Sequence, residues 1–246
     1  MYKNKKISVI LPTYNEKDSI RKVINDFDRL GIIDEIIVVN NNARAGTSEE
    51  VAQTKAREVL EPIQGYGAAI KRGFKESTGE LVVVCEPDDT FLVTDIFKFL
   101  AYSEDVDIVY GTRTVSHFIW EGANMGVFLK WGNWATAKLM EIIFNTNYLS
   151  DVGCTYRLIS RRALNSILPV LCVNSNFFGP EMMIRGFQLH LKAIQIPVNY
   201  KERVGTSSVT GDLKKAFFLG IKMIILIIGL RFNLGMRFIR LLEKGA

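Results

Sequence analysis

ELVVVCEPDDT, residues 80–90, carries an aliphatic run straight into Glu86, Pro87, Asp88 and Asp89. A short, valine-rich apolar run of this kind reads as a strand buried on both faces, the type that builds parallel sheets covered by helices. The acids then fall at the strand's carboxyl end, where open α/β sheets bind their ligands. Three carboxylates so close together repel one another unless a cation intervenes. Hard oxygen donors suit Mg²⁺ or Mn²⁺, which pair one or two carboxylates with substrate phosphate oxygens. Glu86, Asp88 and Asp89 are therefore the candidate metal ligands. The alternative is a solvated acidic turn, for which Pro and Asp are ordinary residues.

Outward from this stretch the pattern repeats. ISVIL (7–11), EIIVVN (35–40) and DIVYG (107–111) read as further strands. Helices are predicted over 17–30, where Ile20, Val23, Ile24, Phe27 and Leu30 share a face, and over 48–59, 67–76, 123–145 and 161–168. Further strands are expected near 154–160 and 190–196. The alternation predicts an α/β fold with a mostly parallel sheet flanked by helices. The chain of 246 residues, 48% hydrophobic and 23% charged, has room for one large domain and lacks the composition of a disordered or fibrous protein.

Two other strand ends carry polar clusters. PTYNE (12–16) follows the first strand, where a nucleotide could rest or where Thr13 or Asn15 could cap the next helix. NNNARAGT (40–47) follows the second. QGYGAAIKRGF (64–74) puts Gly65 and Gly67 at a helix start with Lys71 and Arg72 one turn on, an arrangement open to phosphate or to a plain turn.

The net charge of +5 is unevenly placed. Residues 201–246 hold nine Lys/Arg against three acids, leaving the first 200 residues close to neutral at −1. The basic residues alternate with Phe, Ile and Leu, which favours an anionic membrane surface over nucleic acid. KKAFFLGIKMIILIIGLRF (214–232) is interrupted by Lys222 and is too short for a span of about 20 apolar residues. It and LGMRFIRLLEK (234–244) read as helices lying in the membrane interface, or as a contact with the domain or a second copy. The expected division is a catalytic domain over 1–211 and a basic amphipathic helical tail over 212–246. Cys85, Cys154 and Cys172 have neither zinc nor redox spacing, which suggests reduced thiols in a cytoplasmic setting, and the N-terminal apolar stretch is too short for a signal peptide.

VILPTYNE, the Asn-rich turn ending at Gly46 and Thr47, GYGAAIKRG, STGELVVVCEPDD, YGTR and GCTYRLISRRAL follow one another in an order that resembles family-2 glycosyltransferases. The resemblance is greatest to the branch of dolichyl-phosphate mannosyltransferases and other polyprenyl-phosphate sugar transferases, and it covers about residues 6–210. It implies a Rossmann-like GT-A fold, a nucleotide-sugar donor (UDP- or GDP-sugar), a divalent metal and inversion at the anomeric carbon; the apolar, basic tail adds the expectation of a lipid-linked phosphate or saccharide acceptor met at the cytoplasmic face of a membrane.

By the same resemblance Pro12, Tyr14 and Glu16 line the nucleotide pocket. Asn41 stands where relatives carry an aspartate for the base or ribose, and Glu86 and Asp88 stand at the two acidic positions of the Asp-x-Asp motif. Gly67 and Lys71 complete the donor side. Asp151, Arg157 and Glu181 fall in segments that hold acceptor, phosphate-binding and catalytic groups. An ion pair with Asp151 is the other reading of Arg157, and a first-turn helix acid the other reading of Glu181. YKERVGTSSVTG (200–211) resembles the Arg-x-x-Gly-x-Ser segment of the same branch, making Arg203 and Ser207 donor-phosphate candidates. Two rival functions stay open at this level. A sugar nucleotidyltransferase would open with a Gly-rich loop where PTYNE stands, and a non-catalytic nucleotide-sugar-binding scaffold would account for Asn41 and Glu86.

Overall fold

The computed structural model describes every residue except 124–126, 147, 205–212, 233, 235–237, 240 and 242–246. The apolar runs form one seven-stranded sheet: β1 (Ile7–Thr13), β2 (Glu35–Asn40), β3 (Arg57–Leu60), β4 (Leu81–Val84), β5 (Ile108–Thr112), β6 (Arg157–Ser160) and β7 (Ala193–Pro197). Their spatial order is β3-β2-β1-β4-β6-β5-β7. All neighbours run parallel except β6, which is antiparallel to both β4 and β5. The chain winds one way from β1 to β2 and β3, then returns to place β4 on the other side of β1. That reversal makes the β1–β4 boundary a switch point, with a crevice beyond the carboxyl ends.

Alternate residues of the strands feed two cores, as the pleat requires. Val9, Leu11, Val38, Val83 and Val109 face α1 (Lys17–Arg29) and α4 (Ile96–Tyr102). Ile10, Ile37, Val82, Val84 and Ile108 face α3 (Tyr66–Glu76), α5 (Val127–Phe144), α6 (Arg161–Ile167) and α7 (Phe178–Gln188). In α1 the buried Ile20, Val23, Ile24 and Phe27 recur at helical spacing. Each such side chain stabilises the fold by about 1.5–3 kcal/mol. The helix stops at Leu30, and Gly31 follows with φ +67°, a left-handed turn that glycine adopts without strain.

One expectation needs correction. The helix foreseen over 48–59 is only α2 (Thr47–Val51), and the chain then turns into the edge strand β3. Charges such as Arg57, paired with Glu35 and Glu76, blunt that edge and hide the strand's alternation in the sequence. The tail helix makes the contact with the domain that the sequence left open as its alternative. Its helix α8 (Leu213–Arg231) buries Leu226, Ile227 and Leu230 in the core shared with α5 and α7. Phe218, Ile221, Ile225, Ile228 and Phe232 stay exposed along the opposite side, so from Phe218 onward the helix is apolar on both sides rather than amphipathic. Most of 234–244 lies outside the described residues.

Candidate active site

The acidic turn sits at the switch point. Cys85 N–H donates to Ile10 C=O (3.1 Å), and Ser19 Oγ donates to Pro87 C=O (2.6 Å), tying the turn to β1 and to the first turn of α1. A distant segment, residues 198–204, closes over it. Lys201 N–H donates to Thr90 C=O (2.7 Å), Val204 N–H donates to Asp88 C=O (3.1 Å), and Tyr200 bridges to Phe91. This brings Arg203 onto the acids, with Nη2 3.1 Å from Glu86 Oε2 and 2.6 Å from Asp88 Oδ2. Asp88 is buried, and its Oδ1 accepts from both the N–H (3.0 Å) and Oγ1 (2.6 Å) of Thr90. Its Oδ2 is buried and has Arg203 as its ion-pair partner.

Burial pushes the Glu86 carboxyl up to about 8; the Asp88 charge adds to the rise and Arg203 opposes it. A close pair of carboxylates, Asp88 buried and Glu86 partly exposed, fits a divalent cation of the Mg²⁺ or Mn²⁺ type, which needs one or two such ligands beside substrate phosphate. Asp89, foreseen as a third ligand, is committed elsewhere. It adopts φ +61° and its Oδ1 accepts from Lys22 (3.0 Å) and Lys201 (2.9 Å), clasping α1 and the 198–204 segment to the turn. Among the described residues, no group of three or more His, Cys, Asp or Glu is arranged to hold a metal.

Pro12, Tyr14 and Glu16 lie on the same crevice. Glu16 Oε2 accepts from Tyr14 N–H (2.7 Å), Asn15 N–H (2.9 Å) and Thr13 Oγ1 (3.1 Å), which fixes the turn after β1, while Tyr14 stays exposed. Asn41, buried at the end of β2, has its amide fully used. Nδ2 donates to the carbonyls of Glu61 and Ile63 (2.7 Å each), and Oδ1 accepts from Gly65 N–H (2.8 Å) and Gln64 Nε2 (3.2 Å). Its neutrality has a structural cause, because a carboxylate could not donate to those two carbonyls.

Four other expectations change. Gly67 serves close packing: a Cβ there would lie 2.7 Å from Val173 O and 2.8 Å from Phe178 Cβ. Lys71 Nζ donates to Asn174 Oδ1 (2.7 Å), so this glycine-rich helix start is a seam against residues 173–178 rather than a displayed phosphate cradle. Arg157 is buried and spends its guanidinium on the carbonyls of Cys154 (2.8 Å), Gly179 (2.8 Å) and Val152 (3.3 Å), neither on Asp151 nor on an open phosphate position. Glu181 is 0% exposed. Its Oε1 accepts from Cys172 N–H and Sγ (2.9 Å each) and its Oε2 from Val173 N–H (2.9 Å), so it clamps a loop where a catalytic base was foreseen.

Asp151 grips Arg113 with both oxygens (Nε–Oδ2 2.9 Å, Nη2–Oδ1 3.0 Å) and accepts from the N–H groups of Arg113 (3.0 Å) and Gly153 (2.9 Å). Burial works to raise its carboxyl, but the Arg113 charge and hydrogen bonds win and hold it below the ordinary aspartate value. Asp151 thus orients Arg113 rather than standing ready as a base. Arg113 itself went unnamed as a site residue in the sequence. It follows β5 at the sheet's carboxyl edge, lies 5.4 Å from the Tyr200 ring, and lowers the Glu86 carboxyl through its charge. Its signal was its place one residue beyond a strand end, in YGTR. Ser207 lies outside the described residues.

The switch-point crevice, the acidic pair and the arginines around it belong to a nucleotide-sugar transferase of the GT-A class. The structure of glucosyl-3-phosphoglycerate synthase from Mycobacterium tuberculosis, in complex with Mn²⁺, UDP and glucosyl-3-phosphoglycerate, has the same fold. It superposes with a TM-score of 0.69 at 18% identity, over 93% of this chain and 80% of that one. The Glycosyl transferase family 2 profile matches residues 8–168, and the chain belongs to that family. Dolichyl-phosphate hexose transferase of Haloferax volcanii is 28% identical over 207 residues, 82% of this chain and 86% of the relative. A glycosyltransferase of Mycobacterium bovis is 27% identical over 214 residues, 85% and 91% respectively.

Proposed function

We propose that this family-2 glycosyltransferase moves a hexose, with inversion, from a UDP- or GDP-sugar to a lipid-linked phosphate or saccharide, using Mg²⁺ or Mn²⁺ at the cytoplasmic face of a membrane. The observation that carries the reading is the Glu86–Asp88 pair beneath Arg203 at the β1–β4 switch point. A divalent cation held by that pair would supply charge neutralisation to the departing nucleoside diphosphate. Arg203, on the segment that covers the turn, is positioned to hold diphosphate oxygens as they gain charge. Arg113, fixed by Asp151, supplies a second oriented cation for an anionic acceptor. Neither Asp151 nor Glu181 is disposed as a base, which suits a phosphate acceptor that arrives already ionised.

The relative from Haloferax volcanii, by its name, supports a lipid-phosphate acceptor, and solved neighbours bound to UDP with Mn²⁺ or Mg²⁺ support the donor and the metal. The lipid side is supported by the exposed row on α8 and by Trp131 and Trp134 of α5, exposed and in edge contact at 5.5 Å. Among the described residues, no helix is long and apolar enough to cross a membrane. Exposed aromatic and aliphatic side chains flanked by Lys222 and Arg231 fit a helix pair resting on an anionic bilayer. The test is a thermal-shift screen of UDP- and GDP-sugars with and without Mn²⁺, followed by transfer assays of wild type and Asp88→Ala. One nucleotide class should stabilise the chain only with metal, and the variant should lose about a hundredfold or more in transfer. Unchanged transfer in the variant and in EDTA would refute the role given to the acidic pair.

A further inference from the structure

The cation that touches Glu86 and Asp88 in this chain is its own Arg203. One N–H of Nη2 is donated to Glu86 Oε2 at 3.1 Å, while the same nitrogen pairs with Asp88 Oδ2 at 2.6 Å. Asp88 is 1% exposed, and its Oδ1 is filled twice by Thr90. The contact is a close ion pair, and it sets the guanidinium against the carboxylate oxygen that a metal would use. A guanidinium nitrogen and a divalent ion cannot occupy the space between the same two carboxylates at once. The backbone near Arg203 is fastened by Lys201 N–H to Thr90 C=O and Val204 N–H to Asp88 C=O, so the long side chain can swing while its segment stays docked.

We propose that Arg203 is an exchangeable counter-cation. In the donor-free chain it neutralises Glu86 and Asp88 and keeps divalent metal out. When metal and nucleoside diphosphate arrive together, the guanidinium leaves the carboxylates for the diphosphate oxygens, which accept its planar fork. Metal and nucleotide then bind with positive coupling, each making room for the other. This rests on the metal-and-donor reading above and adds an order to it: metal alone binds poorly, and the residue that excludes it becomes a donor ligand.

The experiment is Mn²⁺ binding to the full chain, followed by the electron paramagnetic resonance of free Mn²⁺, alone and with saturating UDP or GDP. Wild type should bind Mn²⁺ weakly alone and about tenfold or more tightly with one of the nucleotides. Arg203→Gln should bind Mn²⁺ alone about tenfold more tightly than wild type, with a smaller gain from nucleotide. Circular dichroism checks that the variant folds. If it does not, Arg203→Met, which keeps an aliphatic stem but loses the charge, must bind Mn²⁺ alone more tightly than wild type. Equal or weaker binding of Mn²⁺ alone by the folded variant overturns the exchange, while the metal site survives if nucleotide still recruits Mn²⁺ to wild type. Failure of wild type to bind Mn²⁺ under any of these conditions overturns both readings together.

Discussion

Asn41→Asp introduces the acid that the family resemblance leads one to expect there, and the structure says it should harm this chain. The amide donates to two carbonyls, Glu61 O and Ile63 O, each at 2.7 Å, from a side chain that is 3% exposed. A carboxylate has no hydrogen to give, so both carbonyls lose their donor and face a negative charge. Each buried acceptor left without a partner costs about 1–3 kcal/mol, so the pair should cost about 2–5 kcal/mol after some relaxation. For a chain of this length that lowers the melting temperature by roughly 5–15 °C. The sign with pH follows from linkage. Burial and the two carbonyls raise the new carboxyl's folded pKa above its unfolded value of about 3.9, so the folded state holds the extra proton. The deficit therefore deepens as pH rises from about 4 toward 8, and shrinks in acid, where the protonated carboxyl regains one donor. Thermal and urea unfolding of both proteins between pH 4.5 and 8 would measure it. A variant melting within about 2 °C of wild type at every pH would refute the claim that Asn41 holds the 61–65 loop, and would return it to the role of a nucleotide contact.

Three further outcomes are expected. Asp151→Asn should destabilise the chain by about 3–5 kcal/mol at neutral pH, because it strands a largely buried Arg113. Since the Asp151 carboxyl is held below its ordinary value, that advantage is present above about pH 4 and lost as pH falls through the lowered folded value, so the gap between the two proteins should close in acid. Glu181→Gln should cost about 1–3 kcal/mol of stability through its backbone donors yet leave kcat/KM within about tenfold; a loss of a hundredfold or more would mark a true base. Replacing Trp131 and Trp134 with alanine should cut flotation with anionic vesicles severalfold, and undiminished flotation would remove α5 from the membrane-facing surface.

The sheet was legible because each central strand is buried on both faces and so appears as an unbroken apolar run. β1, β2 and β4 could be read almost to the residue, and the acidic turn could be placed at a carboxyl edge from the run before it. β3 was not legible, since an edge strand carrying Arg57 and Glu58 has the charge pattern of an exposed helix. The site was read one strand end at a time. Arg203 and Asp88 could both be nominated, but not their contact, because nothing local records that residues 198–204 fold back over residues 86–91.

The carboxylates show a more general limit. Asp151 and Glu181 sit in glycine- and proline-flanked segments of the kind that hold catalytic acids, and both are instead locked by donors that lie close along the chain or arrive from another strand end. A carboxylate that clamps a loop through backbone N–H groups and one that takes a proton from substrate share the same sequence signature: a lone acid in an otherwise apolar stretch. What separates them is whether the oxygens are already spent, and that is a property of the three-dimensional fold. Once both are counted as spent, the acidic turn stands among paired charges: Arg203 on Glu86 and Asp88, Lys22 and Lys201 on Asp89, and Arg113 on Asp151. Under the proposed function, the arginines of this crevice would exchange their carboxylate partners for the phosphates of donor and acceptor, and a phosphate that attacks already ionised would not need the chain to remove a proton.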